Sequence, residues 1–150
     1  MFTRDAVRDR RVREAVADRS AAVNVLVAED DADLRELLCR MLARGGHGAA
    51  HASNGREALK RFHERRFDVV ITDMLMPEMD GIELIRALRV VRPGLPIIAI
   101  SGVDEWAEYL RIAIQLGARA ALRKPIAAPQ LLAAISEVMT PLPDPVCAGG

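Results

Sequence analysis

Apolar residues fall along this chain in two alternating rhythms. Short apolar runs at residues 23–27 (VNVLV), 69–71 (VVI), 96–100 (PIIAI) and 120–122 (AAL) each give way within two residues to a polar one, the pattern of strands buried on both faces of a parallel sheet. Between these runs the apolar positions recur every three or four residues, as on one face of a helix. Leu34, Leu37, Leu38, Met41 and Leu42 form the first such stripe, stopped by Gly45 and Gly46. Leu59 and Phe62 form the second, after an Asn54 and Glu57 spaced as at a helix start. Leu84, Ile85, Leu88 and Val91 form the third, ended by Pro93 and Gly94. Leu110, Ala113, Ile114 and Gly117 mark the fourth; Leu131, Leu132, Ile135, Val138 and Met139 mark the fifth, with Pro129 in its first turn. A further strand is expected over residues 48–52 (GAAHA), on its place in the alternation, because its small residues make it a poor strand by composition. Strand and helix thus alternate five times through short loops. That order predicts right-handed crossovers and a doubly wound α/β domain, a five-stranded parallel sheet with helices on both faces.

A chain of 150 residues is one domain's worth. The domain is expected over residues 23–139. Residues 1–22, with six arginines and four acids and only a thin apolar stripe at Val12 and Val16, read as an extension that is a frayed helix or disordered; residues 140–150 read as a proline-rich tail. Twenty-one basic residues balance twenty-one acidic ones, so no overall field recruits nucleic acid or an anionic membrane. Cys39 and Cys147 lie in no metal-ligand spacing and His47, His51 and His63 suggest no metal site, which leaves a reduced, cytoplasmic chain as the simplest reading. No apolar run approaches membrane-spanning length, and the N-terminus is too charged throughout for a signal peptide.

The chemistry gathers where the strands end. The first runs into Glu29, Asp30 and Asp31, the third into Asp73, the fourth into Ser101 and Gly102, and the fifth into Lys124 and Pro125. In a parallel sheet those carboxyl ends share one edge, where open α/β sheets bind ligands. Asp31 is taken as the cap of the first helix, which leaves Glu29 and Asp30 unexplained by local structure. Three crowded carboxylates repel one another, and a hard cation such as Mg²⁺, satisfied by a few carboxylates, waters and a phosphate, is their natural counterweight. An aspartate is also a nucleophile towards phosphorus, and a lysine, a hydroxyl and Mg²⁺ share the charge of a transferring phosphoryl group.

The stretch DMLMPEMDG from Asp73 to Gly81, the acid pair, the Ser101–Gly102 pair and Lys124–Pro125, in this order, closely resemble the receiver domain of two-component response regulators over residues 23–139. The resemblance implies a flavodoxin-like fold of strand order 2-1-3-4-5 and a cis Lys124–Pro125 bond. It implies Asp73 as phosphoacceptor; Glu29, Asp30, Asp73 and the backbone carbonyl of Leu75 as the Mg²⁺ site; and Ser101 and Lys124 as partners of the phosphoryl oxygens. It further implies a signalling domain rather than an enzyme in the ordinary sense, with a histidine kinase or histidine phosphotransfer protein as donor, an unidentified downstream protein as target, and a homodimer as a compatible state.

The chain departs from that pattern in places. Ala121 stands where many relatives carry an aromatic residue, and Ile126 replaces the frequent phenylalanine after the proline, so any switch must work without an aromatic gate. Only eleven residues follow Met139, so no output domain is expected within them. Trp106 and Tyr109 on the fourth helix are either ordinary half-covering residues or partner contacts. Leu75 and Val103, two positions after Asp73 and Ser101, are apolar and would place no water in line with a phosphorus. Two other classes of function compete: a degenerate receiver used only for binding or dimerisation, and an aspartyl-phosphate phosphohydrolase. The latter wants a second Asp where Leu75 stands.

Overall fold

The computed structural model describes residues 21–102 and 106–141, with the backbone alone at Trp106. Val103, nearly all of the N-terminal extension and most of the tail lie outside the described residues. Five parallel strands, β1 (Asn24–Ala28), β2 (Gly48–Ala52), β3 (Val69–Asp73), β4 (Ile97–Ser101) and β5 (Ala120–Arg123), form one sheet in the order β2-β1-β3-β4-β5. Helices α1 (Ala32–Arg44), α2 (Gly55–Glu64), α3 (Gly81–Val91), α4 (Trp106–Gln115) and α5 (Ala128–Met139) alternate with them. The doubly wound, five-stranded architecture and its strand order are those expected.

The period-two alternation of strand side chains divides the core in two. Val25, Val27, Val69, Ile71, Ile98 and Ile100 face α1 and α5, where Leu38, Leu42, Leu131, Ile135 and Val138 meet them. Leu26, Val70, Ile97 and Ala99 face α2, α3 and α4, against Ala58, Leu84, Ile85, Leu88 and Ala113. The central strands β3 and β4 are buried along their whole length, which is why they read as unbroken apolar runs.

Boundaries and margins differ from the sequence reading. β1 runs to Ala28 and leaves Val23 outside its ladder; Val23 instead gives its N–H to His47 Nδ1 at 3.2 Å. β4 begins after Pro96, which has no N–H to donate. Leu37, Val91, Ile114 and Met139, assigned inward, are 45%, 47%, 49% and 38% exposed. Each lies at the edge of its stripe or at a helix end, past the reach of the sheet. Gly117 lies beyond the end of α4, in a turn with φ +98°, a conformation glycine adopts without strain.

The loops that carry the site are closely fastened. Asp31 caps α1 by accepting the Leu34 N–H at 3.1 Å, as expected. Asn54 caps α2 at Glu57 N, 2.8 Å, while the Glu57 carboxylate reaches back to Ser53 N at 3.0 Å and Ser53 Oγ at 2.7 Å. After Asp73 the chain turns sharply: Met79 N–H donates to the Pro77 carbonyl at 2.8 Å across Glu78, whose φ is +66°. The loop then locks at both ends, through Gly55 N–H to the Met79 carbonyl at 3.0 Å and Gly81 N–H to the Met74 carbonyl at 3.1 Å. A Cβ at Gly81 would run into the Asp73 carbonyl oxygen and lie 2.7 Å from Met74 Cα, so only glycine lets α3 start this close to the end of β3. The Lys124–Pro125 bond is cis, as the resemblance implies.

Candidate functional site

Each sequence-predicted side chain is delivered to the same edge by the end of a strand. Thr72 of β3 pairs in register with Ala28 of β1, and Asp73 with Ile100 of β4. Glu29 therefore leaves β1 beside Asp73, and Ser101 ends β4 one residue further on. Lys124 follows β5, its backbone N–H donating to the Ser101 carbonyl at 2.8 Å. Positions up to 95 apart in sequence thus meet in one cluster.

Burial gives the cluster its electrostatic character. Glu29 is fully buried, Asp73 is 5% and Ser101 3% exposed, whereas Asp30 lies at the surface. Lys124 Nζ donates to Asp73 Oδ2 at 2.8 Å and to Glu29 Oε1 at 3.4 Å, and lies 3.2 Å from Glu29 Oε2. Glu29 Oε1 also accepts the Asp31 N–H at 3.2 Å. Glu29 Oε2, close to the ammonium as a charge, receives no hydrogen bond from any described residue. A buried acceptor left so is costly, and it marks a place for a further electropositive partner. One carboxylate oxygen from each of Glu29, Asp30 and Asp73 lies within 4.8 Å of the others. The donor set is all oxygen, the chemistry of a hard cation.

Titration follows from this packing. Burial, reinforced by the Asp73 carboxylate, pushes Glu29 up from 4.5 to about 7, against the lowering pull of Lys124 and the Asp31 N–H. Burial disfavours the charge on Lys124, but the hydrogen bond and attraction of Asp73, with those of Glu29, more than offset it and hold the ammonium above its ordinary range. The lysine is a fixed positive charge between two carboxylates.

The remaining predicted residues take distinct places. Leu75 N–H lies 3.4 Å from Asp73 Oδ1, a long contact, and the Leu75 side chain is 47% exposed. Ser101 makes no hydrogen bond to the carboxylates among the described residues; it shares their edge without bonding to them. Ala121 is half-buried in β5, level with Ala99, and offers no aromatic ring. Tyr109 is half-buried against the core on the α2, α3 and α4 side of the sheet. Sequence reasoning passed over Arg35, whose Nη1 donates to the Glu29 carbonyl at 2.9 Å and the Asp30 carbonyl at 3.4 Å. Its one signal is a basic residue a helical turn beyond a run of acids.

Comparison with known proteins agrees with this geometry. Residues 25–136 match the response regulator receiver domain. The chain is 44% identical over 78 residues to the response regulator receiver protein CpdR of Brucella abortus, covering 52% of this chain and 65% of that one. It is 40% identical over 112 residues to the response regulator MprA of Mycolicibacterium vanbaalenii, covering 74% of this chain and 48% of that one. The structure of the chemotaxis protein CheY4 of Vibrio cholerae superposes with a TM-score of 0.74 at 30% identity, over 79% of this chain and all of that one. The chain spans from about half to two thirds of the length of these two curated relatives. Among the described residues no helix is long and apolar enough to cross a membrane.

The Glu29 environment sets a pH dependence of stability. Its folded value of about 7 lies above the 4.5 of an ordinary glutamate, so the folded state holds the extra proton. Stability without a metal should fall as pH rises through that window, and the penalty is complete above it. Glu29→Gln should flatten this fall in urea unfolding with a chelator present, and should be no less stable than the parent at pH 8. A variant clearly less stable than the parent at pH 8 contradicts the assignment.

Proposed function

This chain belongs to the response regulator receiver family, whose members bind Mg²⁺ at an acidic cluster and take phosphoryl groups from histidine kinases or phosphotransfer proteins, and on that premise we propose that it is a phosphoacceptor with Asp73 as the acceptor. The observation that carries the reading is the Lys124 ammonium held between two buried carboxylates, one of which keeps an oxygen unpaired. Gathering buried like charges costs free energy that a docking surface alone would not require. A phosphoryl-transfer site requires it, because charge on the transferring group must meet groups already in place.

Glu29, Asp30, Asp73 and the backbone carbonyl of Leu75 would hold the Mg²⁺; the buried, unpaired Glu29 Oε2 and the all-oxygen donor set fit that ion. When bound, the ion neutralises the carboxylates and draws charge from the phosphoryl oxygens. The chain's own residues do the rest. The Asp73 carboxylate forms the new bond to phosphorus as the bond from phosphorus to the donor imidazole nitrogen breaks, its electron pair staying with the nitrogen. Asp73 Oδ2 is engaged by Lys124, whereas Oδ1 has only the long Leu75 contact and is the freer oxygen for attack. Lys124 sits within reach of a phosphoryl oxygen on Asp73, and Ser101, with no bond to the carboxylates, supplies a hydroxyl to another.

In this reading the protein works in the cytoplasm and signals by docking its phosphorylated face to another protein or by relaying the group to a histidine. Leu75 beside Asp73 offers no hydrogen bond to a water in line with phosphorus, so the acyl phosphate is long-lived.

Two outcomes are expected. Incubated with acetyl phosphate and Mg²⁺, the protein gains one phosphoryl group by intact mass, a chelator abolishes the gain, and Asp73→Asn gains nothing; an equal gain by that variant overturns the acceptor assignment. Phosphorylated protein freed of donor decays slowly, and Leu75→Asn, which restores a polar contact, speeds the decay by about tenfold, worth ~1.4 kcal/mol of barrier. A parent that decays within seconds, or a variant that decays no faster, contradicts the exclusion of water.

A further inference from the structure

Three consecutive acids leave β1, and each is fixed in a different way. Glu29 is held through its side chain by Lys124 and the Asp31 N–H, and through its own N–H, which donates to the Ala52 carbonyl at 3.1 Å. Asp31 spends its carboxylate on the Leu34 N–H. Asp30 is exposed, and its carboxylate has no hydrogen bond or ion pair among the described residues. What holds Asp30 is its backbone. Arg35, half-buried one turn into α1, places one nitrogen 2.9 Å from the Glu29 carbonyl and 3.4 Å from the Asp30 carbonyl.

A single guanidinium nitrogen spanning two successive carbonyls restrains both peptide planes flanking Asp30, and with them the direction of its Cα–Cβ bond. Arg35 also forms no ion pair with any carboxylate among the described residues, although five stand within six positions of it in sequence. An arginine beside acids ordinarily pairs with them. Here it takes carbonyls and leaves the carboxylates open.

We propose that Arg35 is a positioning residue for the cation site: by clamping the Glu29 and Asp30 carbonyls it aims the Asp30 carboxylate at the position shared with Glu29 and Asp73. The proposal rests on the reading of that site as a Mg²⁺ site, and it adds a residue that binds neither the ion nor the phosphoryl group. Outer residues that orient ligands in this way typically contribute 10–100-fold to metal affinity.

Calorimetric titration with Mg²⁺ alone, needing no phosphoryl donor, tests it. Arg35→Gln, which keeps a short donor but loses the reach and the charge, should weaken Mg²⁺ binding by roughly tenfold. Arg35→Lys, with a compact ammonium able to serve one carbonyl well, should fall between that variant and the parent. Thermal melts in chelator separate this from general damage, since a purely structural arginine would lower the melting temperature of both variants without ordering their affinities in this way. Variants that bind Mg²⁺ within twofold of the parent overturn the positioning role while leaving the phosphoacceptor reading intact. A parent that takes up no Mg²⁺ overturns both. If Arg35→Gln does not fold, the comparison of Arg35→Lys with the parent decides alone, equal affinity refuting the proposal.

Discussion

Lys124 holds two buried carboxylates that could not otherwise stay together. Its ammonium lies 2.8 Å from Asp73 and 3.2 Å from Glu29, side chains 51 and 95 residues away in sequence. Breaking a buried pair by removing one partner typically costs about 3–5 kcal/mol, because the remaining charge is left uncompensated. The constraint reaches into the fold: the lysine must follow β5, the glutamate must follow β1, and β3 must lie close enough to both for Asp73 to sit between them. The strand order β2-β1-β3-β4-β5 meets that demand, with β3 central and its last residue in register with β4. The lysine alone does not complete the pairing. Glu29 Oε2 remains unbonded and Glu29 remains pushed up to about 7, so the metal-free site is short of positive charge.

That shortage joins structure to chemistry. On the phosphoacceptor reading, a site already balanced in charge would have little reason to take a cation, or to accept an anion afterwards. Here the acids are fixed by bonds that do not use up their negative charge: Asp31 N–H to Glu29, the Arg35 nitrogen to two carbonyls, and the Leu75 N–H near Asp73. The Asp73 loop is held in turn by Gly55 and Gly81, positions where the backbone of α2 and α3 approaches too closely for any side chain. Rigidity around the site therefore comes mostly from main-chain contacts.

Much of this was legible in the sequence, and the reasons are physical. β3 and β4 are buried on both faces, so their apolar runs had no competing interpretation, and the acids, hydroxyl and lysine stood out as polar residues ending apolar runs. β2 was visible only through the alternation, because an edge strand of glycine and alanine carries little pattern. The inward stripes were right along their centres and wrong at Leu37, Val91, Ile114 and Met139, since periodicity gives the direction of a face but not where the sheet beneath it ends. Arg35 was missed because its partners are carbonyls, and every residue has one. The orphaned Glu29 oxygen was equally hidden, being a matter of direction rather than composition.

The central claim, that this balance of charges exists to carry a phosphoryl group on Asp73, is tested most directly by locating the bond itself. Sodium borohydride reduces an aspartyl phosphate to homoserine and leaves free carboxylates and phosphate esters unchanged. After treatment of protein phosphorylated in Mg²⁺, peptide mapping should find homoserine at position 73 and an unaltered Asp30, and the metal-free sample should contain none. Homoserine at Asp30, or a phosphate that survives reduction on a hydroxyl such as that of Ser101, would contradict the account.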